Sequence, residues 1–390
     1  MKNKSVIYIN YSPYENSGKI LDYLLENFDK VFLLALGFHD LKKKTRLNQL
    51  LIYSKKKQIK SYSLFRFPST KHLLFFLLPL TSLINLIQII FYLYLLKNQY
   101  GKIEIYFTVN GFTAWIGNIA KRLHLVDKTV FWVWDYYPPV HESLVIMLMR
   151  YIYLFFDRVS LRSDKVVFIN NKILNLRRVS GILSEGKHFP VVPIGTDSFA
   201  DVSSRGKKNL TLGFIGVIKK SQGLSEVFDS GKYIIKKFPD AKFEIIGSGP
   251  EDEYFKSVAV NGPLPTTFHG YLEGESFNTV LKKCTIGIAT YLPDSSNVSH
   301  FGDPGKVKRY LSLGLPVIIT DIFEFSQEIK KNKAGVIIKS GNPKELTKAI
   351  ETIMSDYKNY QANALNLAKK YYYKKIYPEM FDFSQKTNCP

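Results

Sequence analysis

The chain has 390 residues and 46% of them are hydrophobic, so it is too long for one ordinary core and too apolar for a disordered protein. Its two cysteines, Cys284 and Cys389, lie far apart in the sequence, so neither a disulfide framework nor a cysteine-ligated zinc site is indicated, and a reducing compartment fits. The net charge is +21, and no Asp or Glu occurs from Leu41 to Ile103, so the chain attracts polyanions or an acidic lipid surface.

The first half of the chain alternates between apolar strands and helices. The stretch 6–9 is too short for a signal peptide and predicts a first strand, followed by a loop at 11–18 and a helix at 19–27. Such alternation is typical of a parallel, doubly wound sheet, whose ligands bind beyond the carboxyl ends of the strands. The loop 11–18, which includes Gly18, is therefore a candidate cleft loop.

Residues 73–96 carry no charged side chain and are long enough to cross a membrane. Pro79 and Asn85 weigh against a span, and so does the strand predicted at 103–108, which a span would place on the far side of the bilayer. Three structures stay open here: a transmembrane span, a helix lying in the membrane interface and a buried core helix. Lysines cluster just upstream, and their attraction to anionic lipid favours the interfacial helix. These cations are Lys42, Lys43, Lys44, Arg46, Lys55, Lys56, Lys57 and Lys60.

A buried strand that starts at Val130 ends at Asp135 and is followed by two tyrosines and two prolines. A carboxylate at the carboxyl end of a central strand faces the ligand edge of the sheet, which makes Asp135 a candidate functional residue. The alternative is an aspartate that only caps the following loop. A helix at 147–159, a strand at 165–169 and the stretch 191–197 complete the first half.

The polar and basic segment 201–208 is interpreted as the interdomain linker, after which the alternation restarts. We predict helices at 224–238 and 357–383, a helix capped by Asn342, and strands at 210–215, 243–246, 267–270, 285–290, 317–320 and 335–338. The second half is thus a second parallel sheet.

The stretch 301–321 predicts a loop, a helix and a buried strand in quick succession. Asp303 and the proline after it signal the start of the helix. Gly302, Gly305 and Lys306 lie in front of this helix, and free amides, a partial positive charge and a lysine together make an anion site. The alternative is an ordinary capped connection between a helix and a strand.

The ordered motifs of the second half resemble the nucleotide-sugar half of GT-B glycosyltransferases, particularly the retaining family-four type (glycosyl transferases group 1). They are Gly216 with Gln222-Gly223, Ile246-Gly-Ser-Gly-Pro250, Phe268-His-Gly270, Asp303-Pro-Gly-Lys306 and the stretch from Gly314 to Asp321. The set covers nearly all of 207–356, whereas the first half matches more loosely through Trp134-Asp135 and Ile194-Gly-Thr-Asp197.

The resemblance implies two Rossmann-like, doubly wound domains that face each other across a cleft. Residues 1–200 would form the acceptor-side domain and residues 207–356 the domain that binds a nucleotide-diphosphate sugar. Residues 357–390 would form a C-terminal helix and tail that cross back to the first domain.

The chain departs from the family pattern at several positions. The two cations that hold the diphosphate in the family are replaced by Val217 and Gln222, so the charge would have to come from Lys219 or Lys220. The two glutamate positions carry Gly302 and Arg309, and because arginine cannot accept a hydrogen bond, ribose recognition would move to Asp303. A histidine often precedes the aspartate of the first domain, where this chain has Trp134.

The resemblance assigns Lys306 to the leaving diphosphate and assigns Asp135 either to orienting the acceptor hydroxyl or to balancing the charge that develops on the sugar. Gly247, Gly249 and Gly270 would let the backbone approach the base and the ribose. The candidate catalytic residues are Asp135 and Lys306, and the candidate donor-binding residues are Gly18, Gly216, Lys219, Lys220, Gln222, Gly247, Gly249, Gly270, Asp303, Gly305 and Arg309. For Lys219 and Lys220 the alternative is a solvated loop, and for Arg309 it is an ion pair with a carboxylate.

We therefore expect a glycosyltransferase that moves a sugar from a nucleotide-diphosphate donor to a membrane-associated or glycan acceptor, as in polysaccharide biosynthesis. The resemblance implies retention of configuration and no cofactor, and no metal is expected because there is no Asp-x-Asp motif. The protein should be cytoplasmic and lie on the inner face of the membrane. The alternative is a catalytically silent GT-B scaffold or sugar-nucleotide-binding protein. Nucleic acid is not an expected partner, because the basic residues flank an apolar helix and do not alternate with exposed aromatics.

Overall fold

The computed structural model describes residues 4–11, 13–37, 48–66, 74–184, 188–197, 199–201, 209–293 and 298–384. The chain forms two compact units, one of Met1–Gly195 with Tyr373–Pro390 and the other of Thr196–Tyr372. The predicted linker 201–208 lies outside the described residues except for Asp201, and so do Cys389 and the cations of 42–46.

The first unit contains a seven-stranded sheet in the order β4-β3-β2-β1-β5-β6-β7. Its strands are β1 (Ser5–Asn10), β2 (Lys30–Ala35), β3 (Gln49–Ser54), β4 (Lys57–Ser63), β5 (Ile103–Thr108), β6 (Val126–Val133) and β7 (Lys165–Phe168). The strands β2, β1, β5, β6 and β7 are parallel, as predicted. Every residue of β1 is buried, which explains why it reads as a continuous apolar run and does not alternate.

The hairpin of β3 and β4 was not predicted, and it adds two antiparallel strands to the edge of the sheet. Its two-residue turn consists of Lys55 and Lys56, whose φ angles are 45° and 70°. Hairpin turns of this kind usually carry Asn or Gly, so a lysine pair gives no turn signal in the sequence.

The helices of the first unit are α1 (Ile20–Asn27), α2 (Leu74–Tyr100), α3 (Gly111–Arg122), α4 (Leu144–Ser160) and α5 (Asn171–Val179), with a 3₁₀ helix at Pro13–Lys19. Part of α2, Leu77–Tyr100, is long and apolar enough to cross a membrane by length and composition. Its face with Asn85, Ile89, Leu93 and Leu96 is nevertheless buried against the unit. Because β4 and β5, which flank α2 along the chain, belong to one sheet, α2 is a helix of the outer layer and does not separate them across a bilayer.

The second unit contains a six-stranded parallel sheet in the order β10-β9-β8-β11-β12-β13. Its strands are β8 (Thr211–Ile215), β9 (Lys242–Ile246), β10 (Thr266–Phe268), β11 (Ile286–Ala289), β12 (Val317–Thr320) and β13 (Gly335–Ile338). From β8 the chain adds β9 and β10 on one side, and then β11, β12 and β13 on the other side. Ligands of doubly wound sheets bind where the direction of this order changes, which here is beside β8.

The helices of the second unit are α6 (Leu224–Asp229), α7 (Gly231–Lys237), α8 (Asp252–Asn261), α9 (Gly274–Lys283), α10 (Gly305–Ser312), α11 (Phe325–Lys331), α12 (Pro343–Ser355) and α13 (Tyr357–Lys370), with 3₁₀ helices at Lys220–Gln222 and Val298–His300. The single helix predicted at 224–238 is wrong, because the chain breaks at Ser230. The Ser230 hydroxyl donates to the carbonyl oxygens of Glu226 and Pro343, which ends α6. The cap predicted at Asn342 is confirmed, since its side chain accepts from the Lys344 amide.

The C-terminal segment divides between the units. Helix α13 belongs to the second unit, where Ala364, Leu367 and Ala368 are core residues. The short helix α14 (Tyr373–Ile376) and the 3₁₀ helix Tyr377–Phe381 belong to the first unit, where Tyr377 is fully buried against the ring of Trp132. The return to the first unit therefore lies at Tyr373, later than the boundary at 357 that the sequence suggested.

Candidate active site

Three loops are joined by backbone hydrogen bonds at the carboxyl edge of the second sheet. The Gly216 amide donates to the Ile246 carbonyl at 3.0 Å, and the Gly247 amide donates to the Gly270 carbonyl at 2.7 Å. The Ile218 amide donates to the Ser248 carbonyl at 3.2 Å. The loops after β8, β9 and β10 therefore form one connected rim at the switch point.

The predicted glycines of this rim serve different purposes. Gly247 has a φ of +139°, and a Cβ there would overlap the carbonyl oxygen of Gly216. A Cβ at Gly249 would overlap the carbonyl oxygen of Ile218. Packing of loop on loop thus requires glycine at both positions, and their approach to a ligand stays a prediction. Only at Gly270, with a φ of +66°, would a Cβ meet open space.

The loop after β8 is also held against the end of β11. Gly223 has a φ of +73°, and a Cβ there would overlap the Thr290 carbonyl oxygen. The Thr290 hydroxyl donates to the Gly223 carbonyl at 2.8 Å, and the Leu292 amide donates to the Ser221 carbonyl at 3.1 Å. These contacts fix the position of the buried Gln222 between them.

Lys306 lies in the first turn of α10 and reaches this fixed loop. Its Nζ donates to Gln222 Oε1 at 2.9 Å and lies 4.0 Å from the ring centroid of Tyr291 and 4.4 Å from that of Phe214. Burial lowers the pKa of Lys306 well below its usual value, and the charge of Lys219 lowers it further. No carboxylate of the described residues pairs with this ammonium. The sequence did not reveal Phe214 and Tyr291, which it shows only as apolar strand-end residues.

The two lysines of the loop after β8, Lys219 and Lys220, have different surroundings. Lys219 is near enough to Lys306 for their charges to interact. The exposed side chain of Lys220 instead places Nζ 4.9 Å from the ring centroid of Tyr254, and its amide donates to the Glu251 carboxylate. The structure thus brings Lys306, Gln222 and Lys219 together, and it leaves Lys220 on the outer side of the loop.

The predicted free amides before α10 are already bonded. The Gly305 amide donates to the Asp303 carbonyl at 2.8 Å, and the Gly302 amide donates to the Ser299 carbonyl at 3.4 Å. Helix α10 begins at Gly305 after Pro304, so Asp303 does not cap it. The expectation of bare amides is therefore corrected, and the side chain of Lys306 carries the positive charge of this position.

Asp303 and Arg309 take part in ion pairs within the unit. Asp303 accepts from Lys308 Nζ at 2.5 Å, and the two side chains are only 5% and 2% exposed. Arg309 donates to Asp197 at 2.7 Å and also to the side-chain oxygen of Asn278. The expected ribose contact of Asp303 is corrected, because its carboxylate points to a buried lysine, and for Arg309 the ion pair is the arrangement observed.

In the first unit, Asp135 lies two residues beyond β6, at the carboxyl edge of the sheet. The Tyr137 hydroxyl donates to its Oδ2 at 3.4 Å, and the Tyr153 hydroxyl donates to its backbone oxygen at 3.4 Å. Burial raises the pKa of Asp135 to about 6, and the hydrogen bond from Tyr137 limits that rise. A carboxyl group with such a pKa changes charge near neutral pH, as acid–base groups of active sites do.

A buried ion pair whose carboxylate interacts with the charge of Asp135 was not predicted. Asp157 of α4 pairs with Arg177 of α5, and both side chains are 1% exposed. The Arg177 guanidinium also lies 5.0 Å from the ring centroid of Tyr136. Burial raises the pKa of Asp157 to about 6, and the charge of Asp135 contributes to that rise. No sequence signal shows this pair, because its two members come from different helices.

Gly18 packs against the C-terminal segment. The Tyr377 hydroxyl donates to the Gly18 carbonyl at 2.6 Å, and a Cβ at Gly18 would overlap that hydroxyl. This contact seats the C-terminal segment, and donor binding by Gly18 stays a prediction. Among the described residues, no group of three or more His, Cys, Asp or Glu side chains is placed to hold a metal ion.

Comparisons with known proteins agree with this architecture. A family model described as Glycosyl transferases group 1 matches residues 209–356. Sucrose-phosphate synthase from Thermosynechococcus elongatus has a TM-score of 0.68 at 13% identity, over 97% of each chain. HepE from Anabaena in complex with UDP has a TM-score of 0.66 at 14% identity, over 97% of this chain and 98% of its own. The lipopolysaccharide outer core galactosyltransferase WaaB has a TM-score of 0.57 at 13% identity, over 96% of this chain and 98% of its own. No curated protein sequence gives a significant match.

Two predictions are decided by these findings. The GT-B fold class is confirmed, since both units carry parallel sheets flanked by helices and the solved structures match along nearly the whole chain. The prediction of a glycosyltransferase is confirmed at the level of the domain that carries the family match. The chain thus has the GT-B fold, and its residues 209–356 match the family model of glycosyl transferases group 1.

Proposed function

We propose that the protein transfers a glycosyl group from a nucleoside-diphosphate sugar to an acceptor held at a membrane surface, with retention of configuration and without a metal ion. The observation that carries this proposal is the Lys306 ammonium, which Gln222 and two aromatic rings hold and which no carboxylate of the described residues neutralises. It lies at the switch point of a parallel sheet, and its pKa is lowered by burial and by Lys219. A cation held in this way without a carboxylate among the described residues favours an anionic ligand.

The reaction breaks the bond between the anomeric carbon and an oxygen of the diphosphate, and both bonding electrons stay with that oxygen. Lys306 and Lys219 are positioned to stabilise the negative charge that develops there. The acceptor oxygen forms the new bond to the anomeric carbon on the same face of the sugar, and its proton passes to the departing diphosphate. Gln222 holds Lys306 Nζ in place through its 2.9 Å contact.

Asp135 is proposed to act on the acceptor side, either by orienting the hydroxyl group or by balancing the positive charge that develops on the sugar ring. Both roles require the ionised carboxylate, which is the major form above a pH of about 6. The hydrogen bond from Tyr137 favours this form.

Uridine diphosphate sugars are the first donors to test, because solved structures of similar fold include HepE bound to UDP and to UDP-glucose. Thermal shift of the full chain with UDP-, GDP- and ADP-sugars should show a response to one of these classes. The response should be lost in Lys306→Met and kept in Lys348→Met, a control at an exposed lysine of α12. If no donor gives a shift, the catalytically silent alternative is favoured and the transferase proposal fails.

Retention and metal independence need their own measurements. The anomeric configuration of the product, read by NMR, should match that of the donor, and inversion would contradict this part of the proposal. Activity should survive a metal chelator, and a loss that only a divalent cation restores would show that the lysines do not act alone.

The membrane-associated acceptor and a location at the inner face of the membrane are supported by α2. Its outward side chains Leu83, Ile87 and Phe91 are all more than half exposed. Apolar helix faces of this kind, in a chain with a charge of +21, favour an anionic membrane surface. Flotation of the full chain with anionic liposomes tests this, and a protein that stays wholly soluble would contradict it.

A further inference from the structure

Helix α4 carries an apolar stripe that the proposed donor and acceptor chemistry does not use. Leu148, Ile152 and Phe155 follow one another at every third or fourth position, so they lie on one face of the helix. They are 61%, 45% and 59% exposed. Leu144 and Tyr151 extend the stripe and are also more than half exposed. Three or more large apolar side chains exposed on one face mark an interaction surface.

The stripe leads into a groove between α3 and α4. Val159 follows Phe155 on the same face, and Arg162 comes just after the helix ends. The groove has a volume of about 380 Å³ and is lined by Trp115, Asn118, Ile119, Lys121, Arg122, Val159 and Arg162. No carboxylate lines it, and the apolar stripe therefore ends in a cationic groove.

The polar groups of this groove are donors. Arg122 and Arg162 are exposed, and Lys121 pairs with Asp164, the carboxylate that lies behind it. Asn118 Oδ1 accepts from the hydroxyls of Thr129 and Ser163, each at 3.2 Å. Its buried Nδ2 has no acceptor among the described residues. An anionic group with several acceptor oxygens, such as a phosphate, matches the exposed guanidinium groups of Arg122 and Arg162.

Helix α3 contacts both α2 and α4, so the stripe of α4 and the outward face of α2 belong to one helical layer. The exposed side chains of both faces are mainly apolar, and Arg158 is exposed at the end of α4 that borders the groove between α3 and α4. Phe112 and Trp115 of α3 pack on Phe156 of α4, which fixes the two helices to each other. The layer thus presents two apolar faces and one cationic groove.

We propose that this layer is a docking surface for an anionic lipid bilayer, in which the stripe of α4 enters the acyl boundary and the α3–α4 groove binds a lipid phosphate. This docking proposal shares with the proposed function only the membrane-held acceptor, because the proposed donor site lies in the second unit. A second copy of the chain is a poorer occupant, because it would bring the same arginines against each other in a protein of charge +21.

The test is flotation of the full chain with phosphatidylcholine vesicles, alone and with added phosphatidylglycerol. The wild type should float only with the anionic vesicles. Arg122→Glu with Arg162→Glu should weaken binding by at least about 25-fold, since each cation near an anionic surface contributes about fivefold. Leu148→Ser with Phe155→Ser should weaken it by about tenfold or more. Lys330→Glu with Lys331→Glu, which makes the same change of charge on exposed positions of α11, should bind nearly as the wild type.

The proposal is overturned if the arginine double variant floats as well as the wild type or if both charge variants lose binding equally. It is overturned as well if light scattering shows a dimer that the serine variants dissociate while vesicles do not bind. Circular dichroism should show the same folded signal for every variant. Thermal shift of the arginine variant with nucleotide sugars separates donor binding from membrane docking. If no nucleotide sugar binds, the transferase proposal fails, but the flotation result still decides whether the surface docks on a membrane.

Discussion

Replacing Lys306 by methionine should weaken catalysis and at the same time stabilise the protein. In the wild type the ammonium is held by Gln222 and by the rings of Phe214 and Tyr291, without a carboxylate partner among the described residues. Methionine is apolar and of similar length, so it fills the same space between the rings without a charge that has to be desolvated.

The two effects have different magnitudes. Loss of a charged hydrogen bond to the leaving diphosphate removes about 1.5–3 kcal/mol of stabilisation, which is a fall of roughly 10- to 150-fold in kcat/KM. Relief of the desolvated charge should raise the free energy of unfolding by about 0.5–2 kcal/mol, as is common when functional strain is removed. In the variant, the side-chain oxygen of Gln222 loses the hydrogen bond from Lys306, so the gain in unfolding free energy should lie in the lower part of the range 0.5–2 kcal/mol, at about 1 kcal/mol or less.

The pH dependence gives an independent check. Because the pKa of Lys306 is lowered in the folded state, the unfolded chain binds the proton more tightly between that pKa and 10.5. Wild-type stability should therefore rise with pH through this window, and Lys306→Met should lack that rise. Urea unfolding at several pH values, together with initial rates, measures both effects. A variant that is destabilised, or one that keeps full activity, would refute the reasoning.

Three further predictions follow from other parts of the structure. Asp135→Asn should abolish the acidic limb that we expect near pH 6 in the pH–rate profile, and an unchanged profile would exclude the proposed role. The variant should also be more stable than the wild type at pH 7, because the wild type loses stability as the pH rises from 3.8 to about 6. Gly247→Ala should cost more than about 3 kcal/mol of stability and abolish the thermal shift with the sugar donor. Gly270→Ala, whose Cβ would meet open space, should cost only about 1 kcal/mol. Urea unfolding measures both costs, and equal costs would contradict the packing of the loops. Lys308→Met should cost about 3–5 kcal/mol because it removes the buried ammonium that pairs with the Asp303 carboxylate. Adding Asp303→Ala should recover part of that loss, and a double variant less stable than the single one would contradict this.

Local patterns in the sequence were enough to predict the parallel strands of both sheets. The strands β1, β5, β8 and β12 are buried on both faces, so each appears as an apolar run bounded by turn residues. The hairpin of β3 and β4 escaped prediction because its turn is built from two lysines.

The candidate residues at strand ends were also identifiable, because ligands of such sheets meet the carboxyl edge. Lys306, Lys219 and Gln222 were predicted together, and they do lie together. Asp303 and Arg309 were predicted for the donor on the strength of their positions, and both are engaged in ion pairs. Position along the chain therefore identified the loop but not the direction of each side chain.

What the sequence determined by itself is the order of elements, since hydrophobic period and turn residues act over a few neighbouring positions. Only the tertiary structure decided which charges are paired. The partners Asp157 and Arg177 come from different helices. Lys308 pairs with Asp303, whereas Lys306, two residues earlier, meets no carboxylate within the part of the chain that the structure describes. Pairing depends on which elements pack against each other, and two side chains on one helix turn point in different directions, so no pattern along the chain carries that information.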